Sequence, residues 1–144
     1  MRIVAGTARS RTILAPEGRD TRPTLDRVRE NLFNILQWHC RDAQVLDLFA
    51  GSGALALEAL SRGAAGAVLA DRDPRAVRIE RQNVENLGFA DRARVIQAEW
   101  QETLRRLAAE NMTFQLVFLD PPYAMKDLSA VFEALRSGGM IDET

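Results

Sequence analysis

The chain has 144 residues, 47% of them hydrophobic and 27% charged, with a formal net charge of −1. This is one domain's worth of globular sequence and excludes the fibrous and disordered classes. No apolar run exceeds strand length and the amino terminus carries none of signal-peptide size, so a cytoplasmic protein without membrane contact is expected. The single cysteine, Cys40, has no partner for an internal disulfide, and beside the single histidine, His39, it gives no metal-ligand spacing, so no metal is expected.

Charge is unevenly spread. Between Met1 and Glu30 seven arginines face four acids, a local balance of +3 that leaves −4 for the remainder. Such a segment is either a solvated basic surface or an arm that contacts phosphates, with Arg2, Arg9, Arg11 and Arg19 as candidate phosphate contacts. Within it, Ile3-Val4-Ala5 and Thr12-Ile13-Leu14 flank a Gly-Thr-Ala-Arg-Ser-Arg turn and are expected to pair as a hairpin. "TRPTLDRVRENLFNIL" then predicts a helix capped by Thr24 or Asp26, with Val28, Leu32 and Leu36 inward.

Past this extension a strand–helix rhythm repeats. Strands are expected at Val45–Phe49, Ala67–Ala70, Ala93–Gln97 and Leu116–Leu119. Helices are expected at Ala54–Arg62, from Pro74 under an Asp73 cap to near Gly88, around Glu102–Glu110 and over Lys126–Arg136. The last carries Leu128, Val131, Phe132 and Leu135 as an apolar stripe. Four strands alternating with helices predict an α/β fold with a doubly wound, mainly parallel sheet and right-handed crossovers. Two regions follow: residues 1–40 as a basic hairpin and helix, and residues 41–144 as a Rossmann-like core.

The chemistry is concentrated at strand ends, where ligands bind in open α/β sheets. In "DLFAGSGALALEAL", Gly51 and Gly53 permit a tight turn and close approach of a ligand to the backbone. Asp71, twenty residues after Gly51, is placed to accept hydrogen bonds from both hydroxyls of a ribose. Gly51 to Ala56 also fits a dinucleotide fingerprint. Against a pyrophosphate stands Asp47, whose charge suits the cationic amino-acid part of S-adenosylmethionine. Glu99 is positioned to meet an adenine amino group, and Phe49, Ser52 and Arg72 are expected to line the same pocket. "LVFLDPPYAM" ends the fourth strand in Asp120-Pro121-Pro122-Tyr123, either a plain stop signal or a reactive loop.

"MRIVAG", "TRPTLDRVRENLFNIL", "VLDLFAGSGALALEALSRGA" and "LVFLDPPY", in this order, resemble the bacterial 16S ribosomal RNA guanine-N2-methyltransferase family, ribosomal small-subunit methyltransferase D. The resemblance implies a class I methyltransferase fold, S-adenosylmethionine as cofactor, and a monomer acting on 16S ribosomal RNA or the assembling small subunit. It implies that Asp120 and the Pro121 carbonyl hold an exocyclic amine, that Pro122 stiffens the loop and that Tyr123 stacks on the base. It also puts Arg22, Pro23 and Thr24 beside the methionine end of the cofactor, and RNA against the basic arm. Family members continue into a fifth strand and a terminal hairpin, whereas this sequence stops at "GGMIDET", so the last strands are expected to be missing. Three alternatives stay open: an adenine-N6 or other amino-methyltransferase, an NAD-dependent oxidoreductase, and a non-catalytic RNA-binding module.

Overall fold

Four short apolar runs become four parallel strands because each is followed by a helix long enough to carry the chain back to the starting edge. The computed structural model describes residues 1–15, 23–121, 125 and 128–141, with the backbone alone for residues 23–25. Its elements are α1 (Pro23–Cys40), β1 (Gln44–Asp47), α2 (Ala54–Ser61), β2 (Gly66–Asp71), α3 (Pro74–Asn86), β3 (Ala93–Gln97), α4 (Trp100–Ala109), β4 (Leu116–Phe118) and α5 (Ser129–Ser137). The strand order is β3-β2-β1-β4, all parallel. Order reverses at β1, which has β2 on one side and β4 on the other, so its carboxyl end is the position at which open α/β sheets place a ligand crevice.

One face of the sheet is covered by α1, α2 and α3, through Phe33, Leu57, Leu60 and Val84. The other is covered by α4 and α5, through Leu104, Leu107, Val131 and Leu135 against Leu46, Val68 and Ile96. Phe33 is fully buried and its ring lies 5.7 Å from that of Phe118, which ties α1 to β4. Truncating such a phenylalanine to alanine costs about 3–5 kcal/mol.

Three expected details differ. Helix α1 begins at Pro23, so Asp26 lies in its first turn rather than at a cap, and Thr24 is likewise inside the helix. Leu32 and Leu36 pack against the core as expected, while Val28 is 60% exposed and the fully or nearly buried positions are Arg29, Phe33 and Cys40, with Arg29 Nε donating to the buried Glu58 carboxylate at 3.2 Å. Helix α5 begins at Ser129 with Val131 and Leu135 buried, leaving Phe132 54% exposed. The amino-terminal hairpin is a single antiparallel bridge, Arg2 to Thr12, closed by Ile3 N–H to the Arg11 carbonyl at 2.9 Å and Ile13 N–H to the Met1 carbonyl at 2.7 Å. After α5, Ile141 makes a parallel bridge with Phe114, beside β4.

Candidate active site

Parallel register places three carboxylates at one edge. Asp47 ends β1 opposite Phe118 of β4, Asp71 ends β2, and Asp120 follows β4 by two residues. Asp47 is 1% exposed and its Oδ2 accepts the Ala56 N–H of the first turn of α2 at 3.3 Å. Burial pushes its carboxyl up to about 7, opposed by that hydrogen bond and reinforced by the Asp120 and Asp71 charges. Asp120 is exposed, yet its charge is felt at Asp47, so the ends of β1 and β4 share one electrostatic site.

The turn between β1 and α2 is shaped by its glycines. Gly53 sits at φ 83° as the N-cap of α2, and a Cβ there would lie 2.6 Å from Leu69 Cδ2. Gly51 sits at φ 58° with nothing within 4 Å of where a Cβ would be, so its backbone faces open space. Asp71 holds this turn: its Oδ2 accepts the Gly51 N–H at 3.0 Å and its Oδ1 the Asp73 N–H at 3.0 Å. Each carboxylate oxygen keeps a further lone pair for a ribose hydroxyl. Asp73 caps α3 by accepting the Arg75 N–H at 2.9 Å, as its spacing before Pro74 predicts.

Arg72 and Glu99 meet in an exposed ion pair of 3.8 Å beyond Asp71 and β3, where an adenine edge is expected. Phe49 and Ser52 are half-buried in the turn region. An open turn, an acid at ribose position and a buried acid beside it fit the nucleoside and cationic parts of S-adenosylmethionine. Pro121 is half-buried after Asp120. Pro122, Tyr123, Arg19 and Arg22 lie outside the described residues, as do the side chains of Pro23 and Thr24. Of the basic arm, Arg2 and Arg9 are exposed, whereas exposed Arg11 donates to the Asn86 carbonyl and so also holds the arm on α3. A surface cavity of about 380 Å³ along Pro74, Arg78, Arg81 and Gln97 contains none of the predicted site residues. Among the described residues no helix is long and apolar enough to cross a membrane.

A family model described as conserved hypothetical protein 95 matches residues 1–144. The ribosomal RNA small subunit methyltransferase D of Escherichia coli strain K12 is 43% identical over 143 residues, which cover 98% of this chain and 69% of that protein. The chain belongs to the ribosomal RNA small subunit methyltransferase D family. The solved structure of a hypothetical protein from Thermus thermophilus superposes with a TM-score of 0.82 at 38% identity, covering 99% of this chain and 80% of that one. A precorrin-6Y C5,15-methyltransferase domain from Rhodobacter capsulatus shares the fold, with a TM-score of 0.68 at 20% identity over 85% of this chain and 60% of its own.

The family motifs do not reveal three fully buried polar residues on the helices behind the site. Asn83 on α3 donates to the Ser52 carbonyl at 2.9 Å and the Leu14 carbonyl at 3.0 Å, and accepts the Leu14 N–H at 2.8 Å, so one side chain joins the glycine turn to the basic arm. Glu58, the lone acid in "ALALEALS", receives the Val4 and Ala5 N–H groups, Arg29 and Arg62. Glu80 is fully buried on the inner face of α3. In each case the available signal is a polar residue at the spacing of an apolar face, as Glu80 sits between Val77 and Val84.

Proposed function

We propose that this chain transfers a methyl group to the exocyclic N2 amine of a guanine in small-subunit (16S) ribosomal RNA, with S-adenosylmethionine as donor. The observation that carries the reading is the convergence of Asp47 and Asp120 at the carboxyl ends of adjacent strands, next to an open glycine turn. The name of the Escherichia coli relative, a ribosomal RNA methyltransferase, supports the substrate class.

The exocyclic amine of guanine is a poor nucleophile because its lone pair is delocalised into the ring. Asp120 accepts one N–H and the Pro121 carbonyl the other, which orients the nitrogen and favours pyramidalisation as the new bond forms. Nitrogen becomes cationic in the same step, and the Asp120 carboxylate takes the released proton. S-adenosylmethionine supplies the electrophilic methyl when bound. Asp71 holds its ribose, Arg72 and Glu99 its adenine, the Gly51-Ser52-Gly53 turn its backbone-facing side with Phe49 beside it, and Asp47 with Arg22, Pro23 and Thr24 its methionine end. Tyr123 stacks on a base turned out of the RNA, and Pro122 keeps the loop stiff. Residues 1–40 form the RNA-contacting extension, with Arg2, Arg9, Arg11 and Arg19 on phosphates, and residues 41–144 the cofactor core.

Incubating the chain with isotope-labelled S-adenosylmethionine and small-subunit particles, followed by nucleoside analysis, tests this. Label is expected in N2-methylguanosine and absent with Asp120→Ala, while cofactor affinity stays within about threefold. Label in methyladenosine overturns the base assignment, and tight NAD binding indifferent to Asp120 overturns the reaction class.

A further inference from the structure

Glu80 has no role in the chemistry above, yet its position is unusual. It lies on the stripe of α3 that also buries Val77 and Val84, and it is 0% exposed. Neither of its carboxyl oxygens has a hydrogen-bond partner. A buried polar group left unsatisfied works against the fold, so a side chain kept in this state calls for a reason beyond packing. Its Cγ would lie 3.6 Å from a Cβ placed on Gly53, which puts the carboxyl under the glycine turn. The charged groups that face it are Asp71 from the end of β2 and Asp47 from the end of β1, with Arg81 of its own helix opposing them. Among the described residues no group of three or more histidines, cysteines or acids is arranged to hold a metal ion.

Burial first, then the Asp71 and Asp47 charges, push the Glu80 carboxyl up to about 9. Asp47 is pushed up to about 7 by its own burial, with the Asp120 and Asp71 charges adding to it. Glu80 therefore keeps its proton at neutral pH and gives it up as pH approaches 9, the range in which a cation entering the crevice would favour its charged form. The methyl donor carries a sulfonium charge, and the thioether left after transfer does not.

We propose that Glu80, acting with Asp47 and Asp71, is a specificity-determining residue that makes the site prefer the cationic methyl donor over its neutral demethylated product. The inference rests on the S-adenosylmethionine reading above. Binding of the donor draws negative charge onto the cluster and releases protons to solvent; transfer removes the positive charge, the protons return, and the product is held less tightly. Glu80 acts through charge and without touching the reacting atoms.

The test is calorimetric titration of the 144-residue chain with S-adenosylmethionine and, separately, S-adenosylhomocysteine, each in two buffers of different ionisation enthalpy. It is run for the wild type, Glu80→Gln, which mimics the neutral acid, and Glu80→Met, which removes both polar atoms. At about pH 6.5 all three are expected to show the same donor-to-product affinity ratio, because Glu80 is protonated. At about pH 9.5 the wild-type ratio is expected to exceed that of both variants by about threefold or more, the scale of one unit charge acting through a screened medium. Proton release on donor binding is expected to fall in both variants. Equal ratios and equal proton release at every pH, with both ligands still binding, overturn the role of Glu80 alone. A wild-type chain that binds neither ligand overturns the cofactor reading and this inference together.

Discussion

Replacing Glu58 by alanine should loosen the basic arm at Val4 and Ala5 and destabilise the fold. Glu58 is 0% exposed and receives four donors: Val4 N–H at 2.9 Å, Ala5 N–H at 3.1 Å, Arg29 Nε at 3.2 Å and Arg62 Nε at 3.0 Å. Arg29 is only 5% exposed, so losing its carboxylate strands a buried cation whose remaining ion-pair partner is Asp26 at 3.3 Å. Removing one partner of a buried pair costs roughly 3–5 kcal/mol. The Val4 and Ala5 amides can recover water once the arm lifts, so they add about 1 kcal/mol or less each. A total of about 4 kcal/mol is a large part of the 5–15 kcal/mol that typically holds a domain together. Urea denaturation measures the loss, and hydrogen exchange at the Val4 and Ala5 amides reports whether the arm is freed. The double change Glu58→Leu with Arg29→Met should recover part of the stability, because the most buried cation then leaves with its partner and Arg62, 11% exposed, is the cation still left without the Glu58 carboxylate. A loss below about 1 kcal/mol for Glu58→Ala, or a double variant as unstable as the two single changes summed, would refute this account.

Three further outcomes are expected. Gly53→Ala should cost about 1–3 kcal/mol, since φ 83° is joined to a 2.6 Å approach to Leu69; Gly51→Ala, open above, should cost about 1 kcal/mol yet weaken cofactor binding about tenfold. Urea melts and calorimetry would count against this if the two positions exchanged behaviour. For Asp47, the folded carboxyl titrates near 7 against an ordinary value of 3.8, so the folded state binds the extra proton between those values and loses stability as pH rises through them. Asp47→Asn should therefore be more stable than wild type by a few kcal/mol at about pH 8 and equal to it at about pH 3.5, and a pH-independent difference would be evidence against the assignment. Arg9→Ala should weaken RNA binding and lower its salt dependence by about one ion without touching cofactor affinity, whereas Arg11→Ala should also loosen the end of α3 through Asn86. Filter binding over a salt series separates them, and an unchanged salt slope for Arg9→Ala would remove it from the RNA surface.

The strand–helix order and the site edge are legible in the sequence because both rest on local chemistry. Asp73-Pro74 starts a helix wherever it stands, and a parallel sheet obliges the residues that end its strands to share an edge, which is why Asp47, Asp71 and Asp120 could be grouped before any geometry. Strand limits were less legible. The ladder of β1 ends at Asp47, yet Leu48 N–H still reaches the Phe118 carbonyl at 3.2 Å, so pairing fades over the residues expected to be strand. The burial of Arg29 on α1 goes with a carboxylate on α2, and no window around Arg29 contains it. Asn83 and Glu80 are similar: their partners or lack of partners are set by the glycine turn and strand ends, far away in the chain. What local sequence offered was only that a polar residue stood where an apolar one was due.

The position of β1 at the centre of the sheet also sets an order of events during synthesis. Strands β1, β2 and β3, with the turn held by Asp71, are complete once residue 97 has emerged, whereas the pairing of Val45 with Leu116 waits for a segment made later. At roughly 5–20 residues per second that interval is on the order of seconds, long compared with helix formation or hairpin closure. The Asp71 side of the site is thus synthesised before the Asp120 side. A half-sheet with the β1 edge unpaired is then exposed, and any ligand that bound it early would stabilise the growing chain at the stage when it is most prone to misassociate.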